Sequence, residues 1–105
     1  MIKEVIYSER GGLRYKKGRM PAGNSTYPFA HLILEKEKLT ITYPFKRIIL
    51  PKENIISIEP IKRDAISSGI RIHHKQEKTA ELLIFWSFNV ERISNVFRDA
   101  GWPVK

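Results

Sequence analysis

The sequence predicts a mainly β (α+β) fold: an antiparallel β-sandwich or partly open barrel of about six to seven strands, capped by one C-terminal α-helix at about residues 89–101. Two patterns carry this prediction. From His31 onward, short runs of β-branched and aromatic residues alternate with charged turns, as in an antiparallel meander. The last segment instead repeats its apolar residues at helical spacing.

The chain length predicts one domain. A chain of 105 residues is large enough for a single hydrophobic core and too small for two. We therefore expect one domain over 1–105, with a core at 28–102 and a basic strand or loop segment at 1–27.

The predicted meander begins with two strands around the charged turn EKEK. The strand before this turn reads AHLIL, and the strand after it reads LTITYPF. In the second strand, apolar residues alternate with threonines, so we expect one face in the core and the other in water. The next strand, KRIIL, ends at Pro51. The expected inward residues of LTITYPF are Leu39, Ile41, Tyr43 and Phe45.

Two further strands are predicted at ENIISIEPI and GIRIHH. In the first, we expect Ile56 and Ile58 to share the inward face. Pro60 indicates a sheet edge or a bend, because proline cannot donate to a strand ladder. In the second, we expect Ile70 and Ile72 to point inward.

The segment AELLIFWSF predicts a strand that is apolar on both faces. Leu83 and Phe85 alternate along it with a second apolar set, which consists of Leu82, Ile84 and Trp86. A strand buried on both sides needs cover from a second layer. The terminal helix supplies such a layer, and any apolar surface that the helix leaves uncovered would form a contact patch.

The C-terminal segment predicts the capping helix. Asn89 is a good N-cap residue, and Gly101 stands where helices commonly end. Phe88 and Ile93 have the spacing of a hydrophobic staple across the start of the helix. The apolar stripe at helical spacing consists of Val90, Ile93, Val96, Phe97 and Ala100.

These segments together resemble small bacterial pleckstrin-homology-like and GRAM-like domains. The resemblance lies in LTITYPFKRIILPKENIISIEPI, then GIRIHH and AELLIFWSF, then NVERISNVFRDAGW, and it covers roughly Pro28 to Trp102. It implies the predicted barrel fold and a binding role. The middle of the family pattern falls on Leu50, Pro51, Ile55 and either Ile58 or Ile56.

Two features of the chain depart from that family. Eukaryotic members hold a tryptophan within the last helix, whereas Trp86 lies in the preceding strand and Trp102 follows Gly101. Members that bind phosphoinositides carry a basic cluster between their first two strands, and the segment Lys17 to Arg19 matches only its second part. Sm-like and oligonucleotide-binding barrels place their helices elsewhere in the chain, so the terminal helix argues against both.

The charge balance favours anionic partners. Nineteen Lys and Arg residues against eleven Asp and Glu residues give a formal net charge of +8. Such a surplus attracts nucleic acid, acidic proteins and anionic lipid headgroups alike. The chain has no cysteine, and its sequence shows neither a signal peptide nor an apolar run long enough to cross a bilayer. We therefore expect a cytoplasmic protein, free or peripheral to the membrane.

No motif indicates catalysis, a metal site or a cofactor. His73 and His74 are adjacent in a predicted strand and point to opposite faces, so they cannot hold one metal ion together. The segment GRMPAGNST approaches a phosphate loop, but Asn24 replaces its lysine and Pro21 removes a backbone donor. We predict no enzymatic activity and no cofactor.

The segment from Arg10 to Arg19 is the predicted anion-binding site, because five of its ten residues are basic and none is acidic. We expect a non-catalytic binding module whose partner is a protein or an anionic lipid headgroup. The alternatives are a nucleic-acid binder that stacks bases on Tyr7, Tyr15 and Tyr27, and a self-associating protein. The predicted site residues are Arg10, Arg14, Lys16, Lys17 and Arg19.

Overall fold

Seven antiparallel strands form one curled sheet, a half-barrel, and a single helix follows them. The computed structural model describes residues 4–64 and 67–105, so residues 1–3 of the predicted segment 1–27 lie outside the described residues. The order of the strands in the sheet is β4-β3-β2-β1-β7-β6-β5. This confirms the predicted fold class. The elements are β1 (Val5–Lys16), β2 (Gly23–Glu35), β3 (Lys38–Tyr43), β4 (Lys46–Pro51), a short 3-10 turn (Lys52–Asn54), β5 (Ile55–Lys62), β6 (Ser68–His74), β7 (Leu82–Ser87) and α1 (Val90–Asp99).

The basic N-terminal segment lies in the middle of the sheet. β1 pairs with β2 on one side and with β7 on the other. The register between β1 and β2 shifts sharply: Gly11 pairs with Ala30, whereas Leu13 pairs with Ser25. The extra residues of β2 form a bulge, which carries the exposed side chain of Tyr27 to the surface.

The core fills the inside of the half-barrel. Leu13 and Phe85 from the central strands are fully buried, as is Phe97 from the helix. α1 packs against β5 and β6. Trp102, just beyond the helix, is also buried and meets the Phe97 ring edge-to-face at 5.4 Å. The tryptophan that packs against the helix is thus supplied by the segment after it.

The helix begins and ends as the sequence predicts. The Asn89 side chain accepts a 3.0 Å hydrogen bond from the backbone N–H of Arg92, so Asn89 is the N-cap. Gly101 adopts a positive φ of 84°, and the chain leaves the helix there. Pro103 O then accepts a hydrogen bond from Ile58 N, which joins the C-terminal segment to β5.

Two predicted burial patterns are wrong in detail. β3 ends at Tyr43, and Pro44 and Phe45 form the turn to β4, so Phe45 is fully exposed instead of inward. In β5, a register irregularity between Ile55 and Ser57 shifts the alternation of faces. Ile55 is therefore buried together with Ile58, while Ile56 is exposed.

Two other predictions for the strands are confirmed. β5 is an edge strand of the sheet, in keeping with Pro60. Ile70 and Ile72 in β6 are fully buried. In the described part of the chain, no helix has both the length and the apolar character that a membrane span requires.

Candidate anion-binding site

Three turns of the half-barrel surround one cavity of about 540 Å³. These turns are 17–22 between β1 and β2, 44–45 between β3 and β4, and 75–81 between β6 and β7. The second turn contributes to the cavity through the residues on either side of it, Tyr43 and Lys46. We call this space the turn cavity. Its lining residues are Tyr15, Lys17, Met20, Pro21, Tyr43, Lys46, Arg47, Ile48, Ile49, Gln76, Lys78, Thr79 and Ala80.

The charged residues that line the turn cavity are all basic. Lys17 comes from the first turn, Lys46 and Arg47 from the start of β4, and Lys78 from the third turn. Among the described residues that line the cavity, none is acidic. Four cations around one concave space give a local positive potential that attracts an anion.

Two tyrosines form part of the wall of the turn cavity. The rings of Tyr15 and Tyr43 lie 5.1 Å apart at an interplanar angle of 42°. Burial raises the pKa of Tyr43, and the neighbouring Tyr15 raises it further. The phenol of Tyr43 therefore stays protonated at neutral pH and keeps an O–H group that can donate a hydrogen bond.

The first and third turns are joined by two hydrogen bonds. The Lys17 ammonium donates to the backbone oxygen of Lys78 at 3.1 Å. The backbone N–H of Gly18 donates to Glu81 Oε2 at 2.8 Å. This second bond is the main reason that the pKa of Glu81 lies below its usual range, and the positive charge of Lys17 contributes to the same effect. These two hydrogen bonds thus fix the first and third turns relative to each other.

Gln76 fixes the third turn to the rest of the barrel. Its side-chain nitrogen donates to the backbone oxygen of Ile49 at 2.9 Å, and its side-chain oxygen accepts from Asn54 at 3.0 Å. The backbone N–H of Gln76 donates to His74 Nδ1 at 3.1 Å. The other nitrogen of this histidine, Nε2, therefore carries the proton and donates to the oxygen of Ala80 at 2.7 Å.

Two exposed apolar residues lie in the turns around the turn cavity, and we call them its rim: Met20 lines the cavity, and Phe45 lies in the turn between two lining residues, Tyr43 and Lys46. Met20, in the first turn, is 67% exposed, and Phe45, in the second, is fully exposed. Phe45 has a positive φ of 65°, a backbone conformation that is costly for a bulky residue. A strained, exposed aromatic side chain beside a basic cavity contributes nothing to the core, which points to a role at the surface.

The structure divides the predicted basic segment between two places. Lys17 lines the turn cavity, and Arg19 is exposed in the same turn. Arg14 and Lys16 instead lie on the outer face of β1, opposite Ile84 and Leu82 of β7.

Arg10 also lies outside the turn cavity. It pairs with His31 across β1 and β2. Burial lowers the pKa of His31, and the charge of Arg10 lowers it further. Of the five predicted residues, the structure therefore brings only Lys17 into the lining of the turn cavity, while Arg19 is exposed in the same turn as Lys17.

Three basic residues of the cavity were not predicted as site residues. Lys46 and Arg47 belong to the segment KRIIL, which the sequence identifies only as a strand. Lys78 belongs to the segment KQEK, where charged residues are typical of a solvated turn. The local signal was the adjacent bases Lys46 and Arg47, because the turn KQEKTAE contains as many acids as bases. Nothing in the local sequence says that these residues meet the turn that begins at Lys17.

The chemistry available at the site is electrostatic. In the described part of the chain, no group of three or more His, Asp or Glu side chains is arranged to hold a metal ion. The turn cavity instead offers ammonium, guanidinium, amide and phenol groups, which donate hydrogen bonds to anionic oxygens.

The strand order and the C-terminal helix define a pleckstrin-homology-like (PH-like) fold. The chain is similar to a crystal structure of the DH/PH domains of p115-RhoGEF, with a TM-score of 0.53 and 13% sequence identity. The match covers 94% of this chain and 31% of that one, so the chain spans about a third of the solved structure it resembles. No family model matches the chain, and no curated protein has a significantly similar sequence. The likeness shows the fold.

Proposed function

We propose that the chain is a non-catalytic PH-like binding module whose turn cavity holds a phosphorylated lipid headgroup at a membrane surface. One observation carries this proposal: Lys17, Lys46, Arg47 and Lys78 surround a cavity without acids, and exposed apolar residues form its rim. The cations match the headgroup, while the apolar rim matches the lipid boundary beneath it. Peripheral attachment to the membrane follows from this arrangement.

The expected binding free energies indicate that the cations of the turn cavity and its apolar rim must contribute together to membrane binding. Each basic residue near an anionic surface contributes about 1 kcal/mol, so four give about 4 kcal/mol, which alone corresponds to a millimolar dissociation constant. Burial of a phenylalanine side chain such as Phe45 adds about 1.5–3 kcal/mol. The sum reaches roughly micromolar affinity when charge-assisted hydrogen bonds to phosphate oxygens are added.

The surroundings of the tyrosines favour a headgroup over a nucleic acid. Tyr15 is packed against Tyr43. Tyr7 donates a hydrogen bond to Glu9, and burial together with this carboxylate raises the pKa of Tyr7 to about 12. The Arg92 guanidinium lies over the Tyr7 ring, 5.8 Å from its centroid, and occupies a face that a stacked base would need. Tyr27 remains exposed, but it already contacts Phe88.

Co-sedimentation with vesicles tests the proposal. We expect the protein to sediment with phosphatidylcholine vesicles that contain a phosphatidylinositol phosphate, and to stay in solution with phosphatidylcholine alone. A double variant, Lys46→Ala with Lys78→Ala, should reduce the bound fraction at least tenfold, because each lost cation removes about 1 kcal/mol or more. The measurement should be made at about 0.15 M salt, where weak attraction between the protein surface and charged lipids is screened.

A matched variant distinguishes binding in the turn cavity from attraction by the net charge of the protein. Lys36→Ala with Lys62→Ala removes the same charge from exposed positions that do not line the turn cavity. We expect this variant to bind nearly as well as the unchanged protein. Equal losses in the two double variants would contradict the proposal, since net charge alone would then explain binding.

A further inference from the structure

The outer face of β7 carries an apolar row that the core does not use. Leu83 and Phe85 point inward and are fully buried. Three alternate residues point outward and remain partly accessible to solvent. We call this row the outer stripe, and it consists of Leu82, Ile84 and Trp86.

The outer stripe ends in an aromatic pocket. Trp86 pairs with Gly12 of β1 and with Gly69 of β6, so no side chain covers its ring from either neighbouring strand. A Cβ atom at Gly12 would lie 3.5 Å from Trp86 Cδ1, which shows that the indole lies over β1. The cavity beside it has a volume of about 250 Å³, enough for one large side chain. We call it the aromatic pocket; it is lined by Gly12, Thr26, Tyr27, Ser67, Ser68, Trp86, Ser87 and Phe88.

Exposed aromatic rings form one wall of the aromatic pocket. Tyr27 and Phe88 meet edge-to-face with their ring centroids 4.9 Å apart. Tyr27 is nevertheless 55% exposed and Phe88 77% exposed. Rigid aromatic side chains around a recess are typical of the centre of a protein interface.

Cations flank the outer stripe on both sides. Across the sheet, Ile84 has Arg14 of β1 on one side and Arg71 of β6 on the other, and Lys16 pairs with Leu82. Arg71 Nε is buried and has no hydrogen-bond partner among the described residues. Glu59 of β5 pairs with Arg71 in register, and its carboxylate accepts a hydrogen bond from His73.

The stripe must be recognised through side chains. β7 pairs with β1 and β6, so it offers no free edge to which another strand could add. The distance from Leu82 to Trp86 is about 13 Å along the strand, which corresponds to roughly two to three turns of an α-helix. A helix with apolar residues on one face covers such a length.

We infer that the outer stripe and the aromatic pocket bind an acidic amphipathic helix of a protein partner. A large apolar side chain of that helix enters the aromatic pocket, and carboxylates on either side of its apolar face meet Arg14 and Arg71. A second copy of this chain fits poorly, because two stripes facing each other would bring the same cations together on molecules of net charge +8. This inference does not rest on headgroup binding in the turn cavity.

A designed peptide tests the inference. The probe is an alanine-rich helical peptide with phenylalanine and leucine four residues apart and glutamates beside them, titrated into isotope-labelled protein and followed by NMR. We expect shift changes at Leu82, Ile84 and the Trp86 indole, and weaker binding as salt rises. The same peptide with lysine for each glutamate should produce no shifts.

Two variants make the test specific. Ile84→Ser should weaken binding of the acidic peptide about tenfold, as expected for a residue at the centre of an interface. Ile56→Ser, at an exposed apolar position of β5, should leave it unchanged. Equal binding of the acidic and basic peptides, no binding of either, or equal losses in both variants would each overturn the inference. A concentration-dependent increase in mass that Ile84→Ser abolishes would also overturn it, in favour of a second copy.

Discussion

The backbone N–H of Gly18 donates a 2.8 Å hydrogen bond to the carboxylate of Glu81, 63 residues further along the chain. This bond joins the turn after β1 to the turn before β7, and both turns contribute cations to the turn cavity. Because the bond favours the ionised carboxylate, the pKa of Glu81 is lowered in the folded protein. The arrangement of the cavity is therefore linked to the charge of one exposed acid.

Replacement of Glu81 by glutamine should make stability less dependent on pH. A group whose pKa is lowered on folding stabilises the folded state above its unfolded pKa, and this contribution is lost as the pH falls through the folded value. The unchanged protein should therefore have the higher melting temperature at pH 7. Thermal unfolding of both proteins across acidic pH should show the difference shrink as the pH falls below about 4.5. A constant difference over that range would contradict this linkage.

Replacement of Gly18 by alanine should destabilise the fold through the backbone alone. Gly18 has a φ of 55°, and a Cβ atom there would meet no other atom within 4 Å. The expected loss is about 1 kcal/mol in the free energy of unfolding, measured by chemical denaturation. Gly18→Asn should cost less, because asparagine adopts this conformation more readily. Equal costs for the two variants would point to a cause other than backbone conformation.

Replacement of Phe45 by glycine should stabilise the protein and weaken membrane binding. Glycine adopts the positive φ of this position without strain, so the free energy of unfolding should rise by about 1 kcal/mol. The same change removes the exposed ring from the rim of the turn cavity, and vesicle binding should fall about tenfold. Phe29→Ala serves as the control, because Phe29 is 60% exposed but lies in β2, outside the three turns around the cavity. Unchanged vesicle binding by Phe45→Gly would contradict a contribution of the rim to membrane binding.

Two phenylalanines at the ends of the helix region should differ sharply on truncation. Phe97 is fully buried against Trp102, so Phe97→Ala should cost about 3–5 kcal/mol in the free energy of unfolding. Phe88 is mostly exposed and meets the Tyr27 ring edge-to-face, so Phe88→Ala should cost about 1 kcal/mol. Denaturant titration measures both values. A large loss for Phe88→Ala would show that this side chain supports the helix.

The sequence predicts local features well where a single segment decides them. Asn89 caps the helix because its side chain needs only the backbone N–H of Arg92, three residues away. The alternation in GIRIHH places Ile70 and Ile72 correctly, because the irregularity in the β5–β6 pairing adds its extra residue to β5 and leaves the alternation of β6 intact. The tripeptide Tyr-Pro-Phe occurs twice in the chain and adopts a different structure each time, so its local sequence does not decide its structure. At Tyr27 it lies in a strand bulge, and at Tyr43 it begins a turn.

The candidate site could be predicted only in part, because distant turns build it. Lys17 stands out in a basic run, but Lys78 becomes a neighbour only when β1 and β7 pair. The same pairing separates Arg14 and Lys16 from the turn cavity, since successive residues of a strand point to opposite faces. A basic run in a strand is thus divided by the pleat of the sheet, while basic residues in separate turns are brought together.

The most direct test of the turn cavity is an NMR titration of the labelled protein with a soluble inositol phosphate. This probe has the headgroup chemistry without the lipid, so it separates recognition in the cavity from attraction to a charged surface. We predict shift changes at Gly18 and Thr79 in the first and third turns and at Lys46 beside the second, and their loss in the double variant Lys46→Ala with Lys78→Ala. Shifts confined to Arg14 and Lys16 on the outer face, or no shifts at all, would contradict the account.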